Sequence, residues 1–473
     1  MRSLIKIYHD KLINLNTQII DLVNLSQIQE AKIKNTNAII FDNYPNAKSV
    51  ALDLQKDIDL HRDNLLYGIP YSLKDNICTK DIITTGGSKF LKDFIPPYSA
   101  TVYELLQTKK AILVSKSNLD EFGMGGTGLY SFNGYVYNFH NHDHITGGSS
   151  SGAVDQVASG SVAFAIGTDT GDSIRRPASF AGVVGYKPSY GLVSRYGVLP
   201  YAPSLDHVGI ISSYVTDAAI VADTIIKFDD KDYTSQKLSN INLYKNLKTL
   251  NNIKFLVFDD IDDYLNPDVK KSYYRALDAL TKAGHKIKKV SFQSIILQSL
   301  RTVYMIISYA EGSSCYANMT GIPFGLNAGG SNYDDIITNN RTQGLGSHVK
   351  HRLVIGAYIT QAKHFHTIFQ RSQKIRTLII DEINRILDQG DCFLCPSASS
   401  IAPKIKDILA GKDSATLVDD LLLFANFAGL PSITVPHSKI NNMPIGLNIT
   451  CKQFADQLAL NVALTMEEIF NYA

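Results

Sequence analysis

The amino-acid sequence predicts an α/β fold, and three observations carry that reading. Apolar residues recur at helical spacing through the first 60 residues, and from Gly68 onward short apolar runs alternate with amphipathic segments. Apolar residues make up 45% of the chain against 19% charged, which excludes the sparse hydrophobicity of a disordered protein. At 473 residues a large buried core is available, although length alone does not fix the number of domains.

Leu4, Ile5, Tyr8, Leu12, Leu15, Ile19 and Leu22, and later Val50, Ala51, Leu54 and Ile58, mark residues 1–60 as helices that each bury one face. Ile69 to Leu73 reads as a strand, Thr101 to Gln107 as a helix and Ala111 to Val114 as a strand. Sixteen of the 32 glycines fall between Gly123 and Gly209, so loops folded closely around a ligand are expected there. The rhythm resumes with a strand at Lys254 to Phe258, a helix at Asp268 to Ala283 and a strand at His285 to Val290. The polar run from Asp229 to Asn252 suits an insertion or long surface loop. With no repeat or clear linker, the chain reads as one domain, its catalytic body spanning 68–450.

Lysine and arginine number 46 against 44 acidic residues, so no global basic field gathers phosphate, and an RNA partner has to be held locally or by another subunit. No stretch approaches a membrane helix, and the N-terminus lacks a signal-peptide core. Asp10 and Asp21 also fit a mitochondrial presequence poorly, so a cytoplasmic protein is expected. Five cysteines in so long a chain point to free thiols, and Cys392-Phe-Leu-Cys395, without a second such pair, to core residues.

Several familiar patterns are removed by context. Gly123-Met-Gly-Gly-Thr-Gly128 has the spacing of a dinucleotide loop but follows Asp120 and Glu121 rather than an apolar strand. Gly148-Ser-Ser-Ser-Gly152 has the spacing of a nucleophile elbow but follows a polar, His-rich segment, and neither ends as a P-loop does. His140, His142 and His144 would share a face only on a strand; a solvated loop is expected, not a metal site. His207 reads as a hydrogen-bonded structural residue. Two glycine-serine segments remain, Thr146 to Gly152 and Asp169 to Ala178, separated by the apolar Val162 to Ile166, which suits a buried strand. Upstream, Lys74 ends an apolar strand, where desolvation lowers a lysine pKa and makes a neutral amine available as base; an ordinary surface lysine is the alternative.

Together these segments resemble the amidase-signature family. Gly68-Ile-Pro-Tyr-Ser-Leu-Lys-Asp-Asn76, Ser117-Asn-Leu-Asp-Glu-Phe122, Gly147-Gly-Ser-Ser150, Thr170-Gly-Asp-Ser-Ile-Arg-Arg-Pro-Ala178, Gly185 to Gly197 and Ala428 to Pro436 stand in the family's order, followed by Pro444-Ile-Gly-Leu447. Ser117 to Gly125, Lys187 to Gly197 and Ser204-Leu-Asp-His-Val-Gly209 resemble the branch that supplies the A subunits of glutamyl-tRNA(Gln) amidotransferases. The resemblance implies an amidase-signature α/β domain with a large mixed sheet between layers of helices. It implies B and C partner subunits and hydrolysis of glutamine, with ammonia passing to ATP-activated Glu-tRNA(Gln) on the B subunit. It implies no metal or cofactor in this chain, ATP and Mg residing with the B subunit, and no membrane.

Carried over by position, Ser173 matches the nucleophile, Ser149 a bridging serine after a cis peptide, and Lys74 the base. The amides of Thr170, Gly171, Asp172 and Ser173 match the oxyanion hole. Arg352 matches the partner of the glutamine carboxylate, Asp419 that of its ammonium, and Tyr304 the pocket wall, with His351 and Asp420 one residue away in each alignment. A hydroxyl attacks an amide poorly unless its proton is removed, which a neutral lysine acting through a serine accomplishes. Two positions depart from the pattern: Asp172 stands where relatives carry glycine, and Gly128 where they carry a polar or acidic residue. A free-standing amidase on another small amide, or a damped structural subunit, are the competing readings.

Overall fold

The computed structural model describes residues 1–14, 17–238, 241–412 and 415–471; Leu15 of the first helical stripe lies outside the described residues. Its thirteen strands are β1 (Ile39–Asp42), β2 (Pro70–Lys74), β3 (Ile112–Ser117), β4 (Tyr137–Asn138), β5 (Asn141–Ile145), β6 (Phe164–Asp169), β7 (Val184–Lys187), β8 (His207–Ser212), β9 (Lys254–Phe258), β10 (Lys286–Val290), β11 (Cys392–Pro396), β12 (Ser432–Ile440) and β13 (Met443–Thr450). Eleven form one mixed sheet in the order β1-β3-β2-β6-β8-β7-β12-β13-β11-β9-β10, and β4 pairs with β5 apart from it. β2 runs parallel to β3 and β6, and β9 to β10 and β11; the other pairs are antiparallel.

Strands β2, β3, β6 and β8 are buried along their whole length, as expected for sheet covered on both faces. Helices Tyr44–Leu54, Ser151–Ala158, Val215–Ile225 and Asp456–Phe470 pack on β3, β6, β8 and β12 respectively. One apolar cluster runs from Ile5 to Met466 and joins these layers. The N-terminal helices are Leu4–Asn14, Ile19–Lys32 and Tyr44–Leu54, with Ile58 in a 3-10 turn that ends the last. The short strand β1 has no counterpart in the sequence reading: four residues are too few for an alternation to declare itself.

The segment 229–252 forms no regular element among its described residues, as expected, yet it is docked. Asp229 accepts from Thr101 and Ser194, and Asp232 accepts from the Arg195 amide at 2.8 Å. The His-rich segment departs from the expected loop and forms β5, held by Asn138, whose amide donates to Ile145 O at 3.1 Å. Its histidines do not converge: His140 meets Ala181 O, His144 is buried against Ala402 O, and no group of metal-binding side chains occurs among the described residues. Cys392 and Cys395 are buried in β11 as free thiols. No described helix is long and apolar enough to cross a membrane.

Because β2 and β6 are parallel neighbours, with Tyr71 opposite Phe164, they end side by side at Lys74 and Asp169. Loops leaving the carboxyl ends of adjacent parallel strands form the usual ligand crevice of an open α/β sheet. The two segments singled out in the sequence are therefore brought together by strand register.

Candidate active site

Lys74 is fully buried at the end of β2, its Nζ 2.7 Å from Ser149 Oγ, 2.9 Å from Ser150 Oγ and 2.9 Å from Thr168 Oγ1. Asn76 donates to the same Thr168 hydroxyl at 3.0 Å, fixing it toward the lysine. Burial pushes the Lys74 pKa down to about 7, against the opposing pull of Asp120, Asp169 and Asp206. The amine is thus close to half neutral at neutral pH. The surface-lysine alternative does not hold.

Ser149 follows a cis Gly148–Ser149 bond and precedes the helix Ser151–Ala158. Gly148 has no room for a side chain: a Cβ would stand 2.1 Å from Asp120 Oδ2. That carboxylate accepts the amides of Thr127, Gly128 and Tyr130 at 3.2, 3.1 and 3.0 Å, so the glycine loop wraps an internal acid. Gly128 sits at φ +80° in this wrap, a left-handed conformation that glycine adopts without strain.

Ser173 is buried, and its carbonyl accepts the Ser150 amide at 3.2 Å, which joins the two serine loops. No hydrogen bond links the Ser149 and Ser173 hydroxyls among the described residues; such bonds commonly tighten only when substrate arrives. The amides of Gly171, Asp172 and Ser173 donate to no protein group among the described residues. They precede the short helix Arg175–Ala181, whose first N–H groups lack intrahelical partners. Arg175 sets their direction by drawing Gly171 O to its guanidinium at 2.6 Å, and the N–H across that peptide bond, that of Asp172, faces the opposite way.

Arg175 is itself fixed. It pairs with both Asp169 oxygens, at 3.1 and 3.0 Å, and donates to Asn426 Oδ1, Leu422 O and Ser432 Oγ. Burial alone would raise the Asp169 pKa, but the charge and hydrogen bonds of Arg175, with Lys187 and Asn426, hold it well below the usual carboxylate range.

The loop floors a cavity of about 670 Å³ lined by Gly171, Asp172, Arg176, Tyr304, Arg352 and Asp419 among others. Arg352 enters it from the helix Ser347–Ile359, while His351 is exposed on the same helix. Its guanidinium donates to Tyr201 Oη at 2.7 Å and lies 5.7 and 5.2 Å from the ring centres of Tyr201 and Tyr309. No carboxylate pairs with it among the described residues, and its Nε is buried without a partner. Asp419 accepts from the Ser399 amide and hydroxyl and from the Thr416 amide, capping the turn Leu417–Asp420, whereas both Asp420 oxygens accept from Arg301 Nε.

Asp172 keeps its side chain at the cavity. It lines the floor and pairs with Arg176 at 2.8 Å, one helical turn on. Burial raises its pKa to about 6 although Arg176 opposes the rise. His207 is buried at the start of β8 with Nδ1 2.7 Å from Leu205 O, in keeping with a structural role. The sequence reading assigned no role to Asp169, Arg175, Thr168, Asn76 or Tyr201; Asp169, Arg175 and Asn76 stand inside segments it singled out, whereas Thr168 and Tyr201 gave no signal.

This fold and site define an amidase. The amidase family model matches residues 22–460, and the chain belongs to that family. More particularly, it is 46% identical over 415 residues to the glutamyl-tRNA(Gln) amidotransferase A subunit of Mycoplasma genitalium, covering 86% of this chain and 87% of that one. It is 40% identical to the corresponding A subunit of Thermosynechococcus vestitus, covering 85% and 84%. The crystal structure of the glutamyl-tRNA(Gln) amidotransferase A subunit from Thermotoga maritima superposes with a TM-score of 0.77 at 30% identity, covering 95% of this chain and 91% of that one.

Proposed function

We propose that this chain is the glutamine-hydrolysing A subunit of a glutamyl-tRNA(Gln) amidotransferase. In this reading neutral Lys74 takes the proton of Ser149, Ser149 takes that of Ser173, and Ser173 Oγ attacks the side-chain amide carbon of glutamine. The oxyanion is received among the amides of Thr170, Gly171, Asp172 and Ser173, each donor contributing about 3 to 4 kcal/mol at the transition state. The relayed proton returns to the departing ammonia, and water then releases glutamate from Ser173. Ammonia passes to Glu-tRNA(Gln) activated with ATP and Mg on a B subunit, with a C subunit completing the complex.

The observation that carries the substrate is Arg352, a cation held by tyrosines in the cavity and paired with no protein carboxylate among the described residues. A neutral amide would leave it uncompensated, which disfavours a free-standing amidase on such substrates. Asp419 stands in the same cavity for the ammonium and Tyr304 forms part of its wall. The test is glutamine hydrolysis by the full chain, alone and with its B and C partners and charged tRNA. Arg352→Ala is expected to weaken glutamine use by about 2–5 kcal/mol, while a simple uncharged amide is much less affected; equal losses on both would assign Arg352 to the fold.

A further inference from the structure

The cavity holds a second donor that the glutaminase reading leaves without a task. His348 stands four residues before Arg352 in the helix Ser347–Ile359, the spacing that puts two side chains on one face, and both line the cavity. Neither ring nitrogen of His348 makes a hydrogen bond among the described residues, and Nε2 is buried. The ring is held instead by its face, stacked on Tyr130 with centroids 3.8 Å apart and planes 5° from parallel. Such a stack fixes the imidazole while leaving its N–H available.

None of the five carboxylates lining the cavity bonds to this donor among the described residues: Asp172 is paired with Arg176, Asp420 with Arg301, Asp419 with Ser399 and Thr416, and neither Asp263 nor Asp407 bonds to His348. A buried donor without an acceptor costs about 1–3 kcal/mol, so two of them one turn apart on a single face suit an acceptor-rich ligand. Burial, then the charges of Arg352 and His351, hold the imidazole pKa down to about 4. The ring is therefore neutral at physiological pH and donates to an anion without placing a second cation beside the guanidinium.

We infer that His348 is a specificity-determining residue of this site, gripping the α-carboxylate of glutamine together with Arg352. The guanidinium supplies the charge and the imidazole a directional N–H. This rests on the glutaminase reading, and deepens it by assigning the carboxylate two ligands on one helix face.

The test is equilibrium binding of L-glutamine by calorimetry, with parent and variants all in a Ser173→Ala background so that the amide is not turned over, and with kcat and melting temperature measured in the chain that keeps Ser173. His348→Phe keeps a ring to stack on Tyr130 and removes the donor; it is expected to weaken glutamine binding about tenfold, with kcat within about threefold and melting unchanged. His348→Gln, which retains an N–H, is expected to bind within about threefold of the parent. Unchanged binding in His348→Phe, or a loss that His348→Gln does not restore, overturns the inference. Arg352→Ala separates the two levels. If it weakens glutamine while His348→Phe does not, only His348 loses its role; if the parent binds no glutamine, or Arg352→Ala leaves binding intact, the glutaminase reading falls and the inference with it.

Discussion

A lysine becomes a base only where water is kept from its ammonium, and Lys74 meets that condition at the end of a fully buried strand. Its folded pKa of about 7 lies below the ordinary value, so the active, neutral form accumulates as pH rises through 7. Glutaminase kcat/KM is accordingly expected to climb about tenfold per pH unit below that value and to level off above it. Lys74→Arg keeps the charge but cannot yield its proton; a loss of about 10²–10⁴-fold is expected, and near-normal turnover would remove Lys74 from the role of base. Asp172 offers the contrasting case. With its carboxylate held by Arg176, Asp172→Gly should change turnover by less than about tenfold, ~1.4 kcal/mol of barrier, whereas Ser173→Ala abolishes it. A gain of two or more orders of magnitude in the glycine variant would mean that the carboxylate opposes the oxyanion. The positions of Lys74, Ser149 and Ser173 were legible in the sequence because motif order encodes them; the direction of Asp172 was not, since it depends on Arg176 one helical turn later.

Among the elements, the 170–173 loop depends on a guanidinium that the sequence shows without its partners. Arg175 stands in a readable motif, but Asn426, Leu422 and Ser432 lie some 250 residues away, and nothing in either segment announces the other. Helices and strands were readable for the opposite reason, because their periodicity is local: Asp268 to Ala283 became Pro267–Lys282, and Lys254 to Phe258 was recovered as β9. The hairpin β4–β5 escaped because its residues are mostly polar, so no apolar alternation marks it, and the Asn138 side chain adds a bond to Ile145 O that no periodicity announces. Arg175→Met would leave Asp169 a buried carboxylate without its ion-pair partner, and a loss of about 3–5 kcal/mol in urea unfolding is expected. The Asp169 pKa is depressed in the fold, so its contribution is present above the ordinary carboxylate range and is lost as pH falls through the folded value. In Arg175→Met, stability should fall less steeply on acidification than in the parent.

At the scale of the molecule, one sheet of eleven strands and one apolar cluster from Ile5 to Met466 tie both ends of the chain to the same core. Unfolding in urea is therefore expected to be a single cooperative transition, with far-ultraviolet dichroism and the emission of the 25 tyrosines coinciding in a chain that has no tryptophan. Two separated midpoints would show that the chain divides into more than one domain. The same arrangement has a consequence in time. A ribosome releases Lys74, Ser149 and Ser173 early, yet the guanidinium that orients the amides before Ser173 finds Leu422, Asn426 and Ser432 only when β12 has emerged. At about 5–20 residues per second that delay is on the order of half a minute. The nascent chain carries its reactive groups throughout that interval, and they become an enzyme only after β12 has emerged, so a product truncated before β12 would be born inert.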